Sequence, residues 1–141
     1  MSLQAHFKIK QILKDHFENP QLEWGQRDCI TLFCQIQEQL WGTKTADAYL
    51  NKYNTERAAR SWARNLGGEQ FVQNTFLRDY ELKTVGVQDL ENGDGLFTWE
   101  NQMPHAQTYY QGLWWTVTKD GFQHQGPHQE QYAVWRNTCH H

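Results

Sequence analysis

A chain of 141 residues with 38% hydrophobic and 14% aromatic residues, seven of them Trp, has the composition of one globular core and excludes a disordered segment. A formal charge of −3, with Lys and Arg scattered rather than clustered, excludes the electrostatic footprint of a nucleic-acid or anionic-membrane partner. No apolar run reaches the roughly 18–20 residues that span a bilayer, and Lys8, Lys10 and Lys14 interrupt the place of a signal-peptide core, so synthesis and folding in the cytosol are expected.

Ile9, Ile12, Leu13 and His16/Phe17 recur at helical spacing and predict an amphipathic helix over Gln4–Phe17, stopped by Asn19-Pro20. A second helix is expected over Cys29–Trp41, because Cys29, Phe33, Ile36 and Leu40 step by four, three and four residues. Asp28 supplies its N-cap and Gly42 its C-terminal cap. Ala46–Tyr53 and Thr55–Leu66 read as further helices, the latter closed by Gly67-Gly68, and Glu69–Phe76 as a short one.

Beyond Leu82 the pattern changes. Asn92-Gly93-Asp94-Gly95 signals a turn, and Leu96–Trp99, Ala106–Tyr110, Leu113–Thr118 and Tyr132–Trp135 are short aromatic or β-branched runs typical of strands. Gln111-Gly112 and Lys119-Asp120-Gly121 fit hairpin connections. Helices followed by antiparallel strands describe an α+β fold, expected as a single domain over residues 1–141 with a helical half to about residue 80 and a β half from about 81.

Three cysteines, Cys29, Cys34 and Cys139, are too few and too irregular for a disulfide framework. Cys29 opens a helix, where unpaired N–H groups and the macrodipole favour an anion, so a stabilised thiolate is expected. The same N–H groups can bind the oxyanion of an acyl-transfer intermediate. His105, following Met103-Pro104 at the start of a strand, is the best-placed base. Alternation puts His105, Gln107 and Tyr109 on one strand face, which reaches Cys29 if that face covers the helix start.

The segment Trp24-Gly25-Gln26-Arg27-Asp28-Cys29, followed by Gly93-Asp94 and then His105, resembles the NlpC-like cell-wall cysteine peptidases. The likeness is greatest to the small phage- and prophage-encoded members with a Trp-Gly-x-x-Asp-Cys segment, and it runs from about Trp24 to Trp135. It implies a papain-like core with N-terminal helices packed on the sheet. It further implies hydrolysis of amide bonds in peptidoglycan stem peptides by Cys29 and His105, in a phage tail or other virion component acting at the cell wall or periplasm. By the same likeness Thr116 stands where relatives carry the residue that orients the histidine ring, Gln26 and Asp28 are expected to support the nucleophile, and Trp24 and Gln107 are expected to contact substrate.

Other functions stay open at this stage. A papain-like structural or adaptor component of a phage tail or neck would keep the fold without the chemistry, and an acidic inhibitor-type protein has only the −3 charge behind it. His124, His128, Cys139, His140 and His141 match no compact zinc spacing, so neither metal nor cofactor is expected. Tyr109, Tyr110, Trp114 and Trp115 are expected to pack in the core rather than to form a sugar-stacking platform.

Overall fold

A computed structural model describes residues 2–43, 50–71, 73–74 and 77–138. Three helices, α1 (Leu3–Glu18), α2 (Cys29–Trp41) and α3 (Glu56–Asn65), and one helical turn, α4 (Glu69–Phe71), precede the strands among these residues. The strands are β1 (Tyr80–Gly86), β2 (Gly95–Glu100), β3 (Met103–Tyr110), β4 (Leu113–Thr118), β5 (Gly121–Gln125) and β6 (Gln131–Asn137). They form one antiparallel sheet in the order β1-β6-β2-β3-β4-β5.

The helix starts follow side-chain chemistry. Ser2 caps α1, Thr55 caps α3, and Asp28 and Thr31 form a reciprocal capping box at the start of α2. Gly42 ends α2 in the left-handed conformation at φ 71°. Of the helix expected over Ala46–Tyr53, residues 46–49 lie outside the described residues, and the rest is not helical: residues 50–52 form a turn and bend and Tyr53 has no regular structure. Of the short helix expected over Glu69–Phe76, Glu69–Phe71 form a helical turn and residues 73–74 are π-helical, and the remainder lies outside the described residues.

Helices α1 and α2 pack on one face of the sheet through Ile9, Leu13, Leu32, Ile36, Tyr110 and Trp115. A neighbouring cluster joins Ile30, Phe33 and Cys34 of α2 to Leu77, Tyr80 and Ala106. Each fully buried Leu, Ile or Phe here contributes about 1.5–3 kcal/mol. On the other face Trp114, Tyr132 and Val134 form a smaller core with Tyr109 and Leu96. The loop before β6 lies over it, with the His128 and Gln129 N–H groups donating to the Tyr132 hydroxyl. All four aromatics of the Tyr109–Trp115 stretch thus pack in these cores, and Tyr110 and Trp114 are almost fully buried.

Gly93-Asp94-Gly95 locks α2 to the sheet. A Cβ on Gly95 would lie 2.7 Å from the Phe33 ring, and one on Gly93 would lie 2.8 Å from Leu40, so only glycine lets the strand come this close. Gln37 donates its amide to the Gly93 carbonyl at 2.8 Å and accepts from the Tyr80 hydroxyl at 2.8 Å. The buried Asp94 carboxylate accepts from Arg136 Nε at 2.9 Å and Nη2 at 2.8 Å. No helix among the described residues is long and apolar enough to cross a membrane.

Candidate active site

The ladder between β3 and β4 covers only Thr108↔Trp115, Tyr109↔Trp114 and Tyr110↔Leu113. Toward its start β3 stays paired with β2 down to Met103, while β4 stays paired with β5 out to Thr118, so the two strands splay apart. The splay frees the main chain of Ala106, whose N–H and C=O point into the gap. The Thr116 hydroxyl donates to the Ala106 carbonyl at 2.8 Å, and the Ala106 N–H donates to Cys29 Sγ at 3.4 Å. One backbone contact therefore anchors the first residue of α2 next to His105.

Asp28 holds the approach to Cys29. Its Oδ1 accepts from Thr31 N–H at 2.8 Å, while Oδ2 accepts from Gly25 N–H at 2.9 Å and from the Tyr53 hydroxyl at 2.9 Å. Gly25 has φ +82°, and a Cβ there would overlap the Tyr53 carbonyl oxygen, which explains the glycine of the Trp24-Gly25 pair. Burial, reinforced by the Asp28 charge, keeps the Tyr53 phenol well above its usual range, so its hydroxyl remains a donor to the carboxylate.

The expected stabilised thiolate is corrected. Burial pushes the Cys29 thiol up to about 12, and the Asp28 carboxylate adds to the rise, against the lowering pull of the Ala106, Cys29 and Ile30 N–H groups. Desolvation outweighs the helix terminus here, leaving a protonated thiol that needs a base. The His105 ring is half-buried, and its Nε2 lies 3.2 Å from the Glu100 carbonyl oxygen. A carbonyl only accepts, so Nε2 carries the hydrogen and Nδ1 of the neutral ring has the lone pair that can take a proton.

Cys29 and His105 line one cavity of about 330 Å³, walled by Trp24, Tyr53, Trp62, Met103 and Pro104. Glu56 of α3 and Lys119 of the β4–β5 turn also line it and form an ion pair at 3.1 Å, with Arg60 donating to the same Glu56 oxygen at 3.1 Å.

The structure brings Trp24, Asp28, Cys29 and His105 together and leaves three expected partners elsewhere. The Gln26 amide donates to Asn51 in a separate hollow, away from the thiol. Gln107 accepts from the Gln125 amide at 3.4 Å in a different hollow, because the helix-facing residues of β3 are Ala106, Thr108 and Tyr110. His105 reaches the Cys29 cavity through the splay rather than by sharing a covered face with Gln107 and Tyr109. Thr116 holds the Ala106 carbonyl, and the Glu100 carbonyl holds the His105 ring in its place.

Tyr53, Glu56, Trp62 and Lys119 escape sequence reasoning because each reaches the cavity from a distant segment. Among the described residues no group of three or more His, Cys, Asp or Glu side chains could hold a metal ion. His124 packs on Trp115 and His128 bonds Gln125, while Cys139, His140 and His141 lie outside the described residues.

A family model described as a domain of unknown function (DUF6950) matches residues 4–137. The chain belongs to the DUF6950 family. No curated protein and no solved structure matches it. The DUF6950 match takes in every residue lining the Cys29–His105 cavity, from Leu22 to Asp120. The cavity is thus built wholly from residues within the family's domain.

Proposed function

We propose that this chain is a papain-like cysteine hydrolase of the NlpC-like kind, a phage or prophage tail component that cuts amide bonds of peptidoglycan stem peptides at the cell wall. The observation that carries it is the shared cavity, with Cys29 Sγ held against the Ala106 N–H at 3.4 Å and His105 next in the chain. The choice of peptidoglycan rests on the likeness of the Trp24–Cys29 segment and of Gly93-Asp94 and His105 to that family.

In this mechanism Nδ1 of His105 takes the Cys29 proton as Sγ attacks the substrate carbonyl carbon. The N–H groups at the start of α2 hydrogen-bond the oxyanion of the tetrahedral intermediate. Collapse breaks the C–N bond, the imidazolium gives its proton to the departing amine, and a thioester remains on Cys29. Water, deprotonated by His105, attacks the thioester and releases the carboxylic acid and the thiol. The Glu100 carbonyl keeps the ring in the tautomer these steps need and accepts from Nε2–H when the ring is charged.

Purified peptidoglycan is the test substrate. New free amino groups and released peptides are expected with the native protein and are lost in Cys29→Ala and His105→Ala; equal release by all three proteins contradicts the mechanism. One observation favours a non-catalytic, structural tail role instead: burial holds the Cys29 thiol far above the range in which it is spontaneously nucleophilic. An intact protein that releases no peptide while binding a tail partner supports that role.

A further inference from the structure

With Cys29 as the nucleophile, as proposed above, the splay between β3 and β4 takes on a chemical role. We infer that Thr116 is a positioning residue for Cys29: by holding the Ala106 carbonyl outside the sheet ladder it keeps the Ala106 N–H on the sulfur, where that N–H stabilises the thiolate as it forms.

The register shows what the hydroxyl replaces. The β3–β4 ladder runs through Tyr110↔Leu113, Tyr109↔Trp114 and Thr108↔Trp115 and stops there. Continued in the same register it would set Ala106 opposite Val117, and the β4 main chain would then take up the Ala106 N–H and C=O. Ala106 is almost wholly buried, so neither group can turn to water instead. The Thr116 hydroxyl donates to the carbonyl at 2.8 Å and Cys29 Sγ accepts from the N–H at 3.4 Å, which satisfies both groups with the strands apart. Without the hydroxyl the carbonyl is left unpaired, and closing the ladder onto Val117 satisfies it only by drawing the N–H off the sulfur.

The gain lies in the difference between thiol and thiolate. A thiol sulfur is a weak acceptor, whereas a charged sulfur binds the same N–H far more tightly, so the contact strengthens as His105 removes the proton. Burial and the Asp28 charge raise this thiol, and the N–H groups that oppose them come from Ala106 on the sheet and from Cys29 and Ile30 on α2. The peptide unit that carries the Ala106 N–H also joins Ala106 to His105, so its placement fixes the base beside the sulfur. Thr116 itself stands outside the lining of the Cys29 cavity and acts through the β3 main chain.

The test is the rate of Cys29 alkylation by iodoacetamide at pH 9, read on the Cys29 peptide by mass spectrometry. Thr116→Val and Thr116→Ala, which both lack the hydroxyl, are expected to react about tenfold slower than the native protein, as for loss of one hydrogen bond to a charged acceptor. Thr116→Ser, which keeps the hydroxyl, is expected to stay within about twofold of the native rate. The loss in Thr116→Val persists when it is combined with His105→Ala, because the N–H acts on the sulfur without the imidazole. Valine and alanine variants as fast as the native protein or faster, a serine variant as slow as they are, or a loss confined to proteins that keep His105 overturns the inference. The hydrolase proposal fails separately, when His105→Ala alone alkylates as fast as the native protein.

Discussion

The substitution Asp28→Asn isolates the role of the carboxylate beside the thiol. The carboxylate accepts from Thr31 N–H, Gly25 N–H and the Tyr53 hydroxyl, and it is almost wholly buried. If the oxygen of the new amide keeps the cap to Thr31, its NH2 group faces the Gly25 N–H, and two donors meet. The phenol can turn to accept, but the Gly25 N–H stays buried without an acceptor. Loss of one charge-assisted bond and an orphaned donor together cost about 2–4 kcal/mol. At roughly 3 °C per kcal/mol for a chain of this size, Tm falls by about 6–12 °C. The same substitution removes a negative charge that raises the Cys29 thiol, so the thiol moves down from about 12. Urea unfolding reads the first effect, and the pH dependence of iodoacetamide alkylation under folding conditions reads the second. A variant that is less stable but whose thiol titrates unchanged, or higher, refutes the electrostatic assignment. A variant of undiminished stability refutes the hydrogen-bond network.

Two other perturbations have definite signs. Arg136→Met leaves the Asp94 carboxylate buried with the Glu91 N–H as its remaining bond, which costs about 3–5 kcal/mol and shows in the urea midpoint. Burial holds the His16 imidazole below its ordinary 6.5; Arg27 adds to this, and the Asp15 and Asp28 carboxylates oppose it. At this site the folded state binds fewer protons than the unfolded one, so the His16 contribution to stability is constant above about pH 6.5 and falls as pH drops below it, until the lowered folded value is passed. His16→Phe, which keeps a ring against Phe122, flattens that acid-side loss in urea midpoints measured from pH 7 to 5, and an unchanged slope contradicts the assignment.

Elements with a local chemical cause were legible in the sequence. The bounds of α2 follow from Asp28 before it and Gly42 after it, and β4 follows from its aromatic and β-branched run over Leu113–Thr118. Strands β1 and β5, the two edges of the sheet, were missed. In β5, Gln123, His124 and Gln125 give little apolar alternation to read, whereas the alternation of Tyr80 and Leu82 with Glu81 and Lys83 in β1 was present and overlooked. Of the cavity lining, Trp24, Asp28, Cys29 and His105 were legible, and what surrounds them was not. Thiol protonation depends on burial that no helix-terminus argument contains. Tyr53 sits 25 positions from the Asp28 it binds, and nothing in either segment announces the contact. Strict alternation grouped His105 with Gln107, whereas the splay of β3 from β4, a property of two strands, decides where His105 goes.

The most direct test of the Cys29–His105 pair is the second-order rate of Cys29 alkylation by iodoacetamide at pH 7 in the native protein and in His105→Ala. A thiol raised to about 12 by its surroundings is almost inert alone, so the reaction draws on His105 as base, and its loss lowers the rate by about 10²-fold or more. Equal rates in the two proteins contradict the pairing, and with it the hydrolase.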